Sequence, residues 1–263
     1  MDNEYWYDID MRKGNSIKRL LAISIGEFRS DTLSTLPSAA IDRERVVRTF
    51  SKLNFRPTQE KAGILTKSDG RKLIMKFREK FAKDKAKTKV LVIYLKSHGG
   101  LHHTRGTMIH FSDEAIALWD LLDPLLQLEQ LEGVPKMIIF EACRGEMSQF
   151  IPAGNSLPFS QSTVLHRRMD TILFAASPEA EKSFTPVANE EVSPFTESLC
   201  RSLLEDKSQD VFDLGININK QLKHFFPTVY YEDGTVIAHK LAPVMESCLT
   251  KHLRLLLPAE LDD

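Results

Sequence analysis

Cysteine is scarce in this chain, with three residues in 263: Cys143, Cys200 and Cys248. An odd, low count without paired spacing excludes a disulfide framework and fits a reducing compartment. Glycine and proline, 12 of each, form no rich segment, so collagen-like and low-complexity chains are excluded, and no internal repeat is found. No apolar run approaches the roughly 18 residues of a membrane span. Residues 1–19 are polar and charged, without the apolar core of a secretion signal. A cytoplasmic protein with no membrane partner is therefore expected. The formal net charge is −1, which offers no cationic excess for nucleic acid. Lys80–Lys89 holds five lysines, read as a solvated helix end and loop.

What is present is ordinary globular material, 42% hydrophobic and 27% charged, enough for one sizeable core or two small ones. Leu20–Ile25 is a short apolar run closed by Gly26 and predicts a buried strand, as do Val90–Leu95, Met137–Phe140 and Thr171–Ala176. Helical periodicity predicts a helix from Ser38, as cap, to about Leu53, with Ile41, Val46, Val47 and Phe50 inward. A second follows Asp69 and Gly70, with Leu73, Ile74, Phe77 and Phe81 on one face. Others are expected over Asp113–Leu128, broken near Pro124, and over Thr196–Leu204 and Val211–His224, with a last strand in Leu241–Leu249. Alternating strands and helices predict an α/β sandwich with a largely parallel central sheet. In such sheets the working residues sit just past the carboxyl ends of the strands. His98 and Cys143 both occupy that position.

A thiolate nucleophile needs a base to activate it and donors for the developing oxyanion. Cys143 precedes Arg144-Gly145, and His98 precedes two glycines, where the Gly99 amide can approach a substrate carbonyl. Taken alone, the pair reads more readily as a buried cysteine and a chance surface histidine. His102, His103 and His110 follow in what reads as a solvent-exposed loop rather than a metal site. Cys200 and Cys248 read as packing residues.

The segment Glu141-Ala142-Cys143-Arg144-Gly145 resembles the caspase signature Gln-Ala-Cys-Arg-Gly with one change, and the histidine of that signature lies upstream, as His98 does. Ser97-His98-Gly99 resembles the caspase Ser-His-Gly. Tyr7 to Met11, Phe195 to Cys200 and Met245 to Leu253 resemble the entry to the first strand, the first small-subunit helix and the final strand of that family. The resemblance implies a caspase-haemoglobinase-like three-layer α/β sandwich, with a mostly parallel central sheet flanked by helices. It implies a short N-terminal segment 1–19 without a recruitment domain and a catalytic domain 20–263. That domain would divide into a large-subunit-like part 20–145, a linker 146–169 and a small-subunit-like part 170–263. Cys143 would be the nucleophile, His98 the proton carrier, and the Gly99 and Cys143 amides the oxyanion donors. No cofactor or metal is implied. The partners implied are another caspase, as homo- or heterodimer through the C-terminal strand, and a peptide or protein substrate.

Three departures accompany this resemblance. Caspases hold the substrate aspartate with two arginines and the signature glutamine, a bidentate task suited to arginine. Here the first arginine is matched near Leu36, Ser177 to Ser193 contains no arginine, and the glutamine is Glu141. An ionised Glu141 facing the pocket would repel an aspartate; the alternative is that it turns outward or is paired. Secondly, no aspartate lies between Arg144 and Met169, and Asp170 at a strand edge is a poor protease site. Thirdly, the N-terminal segment is too short for a recruitment domain. The expectation is a pseudo-caspase in apoptosis or related signalling that regulates an active caspase by dimerisation. The alternative is an active cysteine endopeptidase with altered specificity, with a basic residue favoured by Glu141.

Overall fold

The structure is a computed structural model that describes residues 4–11, 15–57, 63–142, 169–177, 192–206, 210–222, 228–232, 235–239 and 243–255. Its centre is a six-stranded sheet in the order β11-β8-β7-β3-β1-β2. These strands are β1 (Ser16–Ser24), β2 (Phe55–Pro57), β3 (Lys87–Lys96), β7 (Lys136–Glu141), β8 (Thr171–Ala175) and β11 (Val244–Ser247). All neighbours pair in parallel except β11, which runs antiparallel to β8.

Period-two alternation sorts the side chains of these strands onto two faces. Leu20, Ala22, Val90, Val92, Tyr94, Met137 and Ile139 join one core. Helices α1 (Ala39–Ser51), α4 (Pro194–Glu205) and α5 (Val211–Leu222) cover it with Val46, Phe50, Leu199, Leu214 and Ile218. Leu21, Ile23, Leu91, Ile93, Leu95, Ile138 and Phe140 point the other way, against α2 (Lys67–Lys83) and α3 (Leu118–Leu126). Helix, sheet and helix thus form three layers, as the sequence predicts. Among the described residues no helix is long and apolar enough to cross a membrane.

Several local predictions change. The region after His98 is not a loop but a three-stranded meander of β4 (Gly99–His102), β5 (Gly106–His110) and β6 (Ala115–Ala117). His102 and His110 therefore end strands. The helix predicted from Asp113 begins only at Leu118, because Ile116 is held in register with Ile109. That helix runs through Pro124 to Leu126: the lost N–H bond is outweighed by burial of Leu121, Leu122, Leu125 and Leu126. Helix α2 starts at Lys67, so Asp69 lies inside it, where its carboxylate and the Thr66 hydroxyl form a reciprocal capping box. Ser38 precedes α1, but its helical backbone angles give its hydroxyl no capping bond. The antiparallel pair β9 (Thr228–Glu232) and β10 (Thr235–His239) has no counterpart in the sequence reading.

The two terminal regions meet beside β8. Tyr7 N–H donates to the His252 carbonyl at 3.0 Å, and His252 N–H donates to the Tyr5 carbonyl at 2.9 Å. The Tyr7 and Thr250 hydroxyls both donate to Asp170, at 2.5 and 2.6 Å. Asp170 is thereby held among hydroxyls at the start of β8, in the left-handed region at φ 58°.

Candidate active site

The carboxyl ends of β3 and β7 lie side by side, with Lys96 and Glu141 in register as the last residues of their strands. Two residues beyond Lys96 stands His98, and two beyond Glu141 stands Cys143. His98 is half-buried. Its Nε2 lies 2.7 Å from the Ser34 carbonyl oxygen, and its ring packs 4.8 Å from Phe28 at 51°. A carbonyl only accepts, so Nε2 carries the proton. The unprotonated Nδ1 is then the nitrogen available as base. Burial lowers the imidazole pKa, and the Ser34 carbonyl partly offsets that by favouring the charged form. The neutral ring needed by a general base is thus favoured near neutral pH.

Gly99 opens β4, paired opposite Ile109. Cys143, with the linker 146–169 apart from Met169, lies outside the described residues. His110 is also half-buried, its pKa lowered by burial and by His98. His102 and His103 stack with ring centres 4.6 Å apart, and among the described residues no cluster of three potential metal ligands exists. Cys200 is fully buried, which pushes its thiol up to about 12, the state of an inert packing residue.

Of the two states the sequence leaves open for Glu141, facing the pocket or paired elsewhere, the structure shows the paired one. Its side chain turns to the α1–α4 face of the sheet and is 2% exposed. The Lys96 ammonium donates to Oε1 at 2.9 Å, and the Ser193 hydroxyl donates to the same oxygen. Oε2 accepts from the Tyr94 hydroxyl at 2.8 Å and from the Thr196 hydroxyl at 2.5 Å. Lys96 also bridges to Asp42 on α1, whose other oxygen accepts the Ser193 N–H at 2.7 Å. Asp42 and Lys96 are 0% and 1% exposed. An acidic wall free to repel a substrate aspartate is therefore not what these residues form: the acid is partnered internally by a lysine.

Burial alone would neutralise Glu141, but the Lys96 charge and the Ser193 and Thr196 hydroxyls hold its pKa below the usual value. Asp42 absorbs the strain of a second nearby carboxylate. Burial and Glu141 raise it to about 6, against the pull of Lys96 and the Ser193 amide. Burial works against the Lys96 charge, and the two carboxylates outweigh it, raising its pKa. Neither Lys96 nor Asp42 stands out in the sequence. The available signal was a lysine closing an otherwise apolar strand at the position where the neighbouring strand carries Glu141. Leu36, matched to the first missing arginine, is buried, and its N–H is bound to the Gly26 carbonyl at 2.8 Å.

Comparison with known proteins bears on the fold and the family. Curated protein sequences give no significant match. Among solved structures, the crystal structure of caspase-1 from Spodoptera frugiperda superposes with a TM-score of 0.76 at 18% identity, covering 97% of this chain and 95% of that one. At that identity the likeness establishes the fold. The family model described as Caspase domain matches residues 17–254. With that match spanning most of the sequence, the chain belongs to the caspase-domain family.

Proposed function

We propose that this caspase homologue is a pseudo-caspase in apoptotic or related signalling, with impaired aspartate recognition, that regulates an active caspase by dimerisation. The observation that carries the reading is the state of Glu141. Where the family signature has the glutamine of the aspartate pocket, this chain has a carboxylate whose acceptor positions are taken by Lys96, Ser193, Tyr94 and Thr196. No arginine stands at Leu36 to bind an aspartate in its place. The contact with a partner would run through β11, an outer strand of the described sheet. Beside it Phe174, Phe212, Gly215, Ile216, Val244 and Met245 line an apolar cavity of about 150 Å³. Ile216 is 55% exposed there, and an apolar surface next to the outer strand of the described sheet is suited to covering by a second chain.

A second reading, an active cysteine endopeptidase of altered specificity, is favoured by His98. The Ser34 carbonyl holds it in the tautomer a general base requires. Purified protein is incubated with peptides bearing Asp, Glu, Arg or Lys at the cleaved position, alone and with an active caspase. Enhanced partner activity that survives Cys143→Ala, with no turnover by the protein alone, is expected. Turnover by the protein alone that Cys143→Ala abolishes would overturn the pseudo-caspase reading in favour of the second.

A further inference from the structure

We infer that the exposed face of α2, with the turn that follows it, is a binding surface for nucleic acid, held through the phosphate backbone. This goes beyond the proposed function and depends on neither reading of it. Residues 67–89 hold ten Lys and Arg against three Asp and Glu, a net of +7 in a chain whose total is −1, so the remaining residues carry −8. The whole-chain balance therefore averages over a segregated distribution. The fold makes that segregation spatial. Gly70, Ile74, Phe77 and Phe81 bury one side of α2. On the other side Lys72, Lys76, Lys80 and Lys83 are exposed. At about 100° per residue they fall within about 80° of one another, as a stripe about 16 Å long. Lys85 and Lys87, also exposed, follow it along the chain to the start of β3.

Lys67 and Lys89, at the two ends of this run, pair with Glu114 and Asp8. Among the described residues, Lys72, Lys80, Lys83, Lys85 and Lys87 take part in no ion pair. A helix face that needs only solvation alternates in sign, because like charges four residues apart repel. The chemistry of the stripe selects among anionic partners. A protein partner needs a desolvated apolar or aromatic anchor, and the stripe has none. The exposed Met75 lies off it, in a cleft lined also by Arg78, Glu79, Leu128 and Glu129. Glu79, the one exposed acid of α2, stands on that flank. Ile74, Phe77 and Phe81 are committed to the core against β1 and β3, so the helix cannot sink its apolar face into a bilayer. A phosphate backbone needs neither anchor nor insertion. It gains by releasing counterions to a linear track of ammonium groups, and α2 sets successive lysines about 6 Å apart along its axis. With no arginine or aromatic ring on the stripe to read or stack on a base, the binding is independent of sequence.

The test uses the intact chain and a fluorescent duplex of about 20 base pairs and mixed sequence, followed by anisotropy between about 50 and 200 mM salt. The expected dissociation constant is about 1–100 μM at physiological salt, with a slope of log K against log salt of about −4 to −5 for four to six phosphates. A duplex of different sequence binds within about threefold. Lys72→Gln, Lys76→Gln, Lys80→Gln and Lys83→Gln together weaken binding by about tenfold or more and reduce the slope by about 3–4. Lys80→Gln with Lys83→Gln alone reduces the slope by about 2, which reads the same contact with less change to the helix. Arginine at all four positions keeps the affinity within about threefold, and Arg48→Gln with Arg201→Gln, on α1 and α4, changes it by less than about twofold. No binding at about 50 mM salt, or binding that the glutamine variants leave unchanged, would overturn the inference. So would tighter binding to phosphatidylserine vesicles or to poly-glutamate than to the duplex at equal salt, which would assign the stripe to a membrane or to an acidic protein.

Discussion

Replacing Lys96 by methionine removes the ammonium that lies between two buried carboxylates while keeping the shape of the stem. At 2.9 Å and an effective dielectric of about 20, the Lys96–Glu141 attraction is about 6 kcal/mol in gross terms. Desolvation of the ions takes back much of this, and breaking a buried pair from one side costs about 3–5 kcal/mol net. We expect Lys96→Met to destabilise the fold by that amount at pH 7. In urea this lowers the midpoint by about 1–2.5 M for a slope of about 2–3 kcal/mol/M.

The pH dependence follows from the same charges. Without Lys96, the repulsion between Asp42 and Glu141 raises their folded pKa values above those of the unfolded chain. The folded state then binds more protons, and stability falls as pH rises through that window. The wild-type Asp42, already raised to about 6, acts in the same sense on a smaller scale. The loss caused by Lys96→Met is thus smaller at pH 5 than at pH 7. Adding Glu141→Gln to Lys96→Met should restore about 2 kcal/mol or more, a coupling that a double-mutant cycle reads directly. A loss below about 1 kcal/mol at pH 7, or strict additivity of the two substitutions, would refute the assignment of Lys96 as the charge that holds this cluster together.

Three further outcomes are expected. Gly70→Ala in α2 should destabilise by about 1–3 kcal/mol despite alanine's helix preference, because a Cβ there would meet the Phe111 ring at 2.2 Å; thermal denaturation decides the sign. Nitrogen-detected NMR should show His98 protonated at Nε2 and titrating below the ordinary histidine value, since burial disfavours the imidazolium; an Nδ1–H tautomer or a raised pKa would contradict the proposed base geometry. Tyr7→Phe removes the hydroxyl between Asp170 and Thr250 and should cost about 1.5–3 kcal/mol in chemical denaturation, as loss of a hydrogen bond to a charged group does.

The course of the fold was legible where the signal is local. The apolar run Val90–Leu95 forecasts β3, and Met137–Phe140 forecasts β7, since a strand buried on both faces needs apolar residues throughout. Phe77 and Phe81 mark the inner face of α2 by their spacing. The meander after His98 was not legible. Gly99, His102 and Gly106 are loop-like in composition, and Ala115–Ala117 becomes a strand only through its pairing with β5. The buried Asp42 escaped for a similar reason. A helix surface offers an acid no reason to turn inward unless a lysine from another element is waiting there.

By itself, the sequence determined the family, raised the expectation that His98 and Cys143 follow the ends of separate strands, and shows no arginine between Ser177 and Ser193. Those are properties of motif, spacing and composition, which need no third dimension. Only the tertiary structure decided what Glu141 is. Its partners come from residues 94, 96, 193 and 196, brought together because α4 packs on the face of the sheet that Lys96 and Glu141 share, while Asp42 from α1 holds the other side of Lys96. A carboxylate that in one dimension could equally face a pocket or be paired becomes an internal counter-ion in three, because burial leaves a charge stable only where opposite charge and donors surround it.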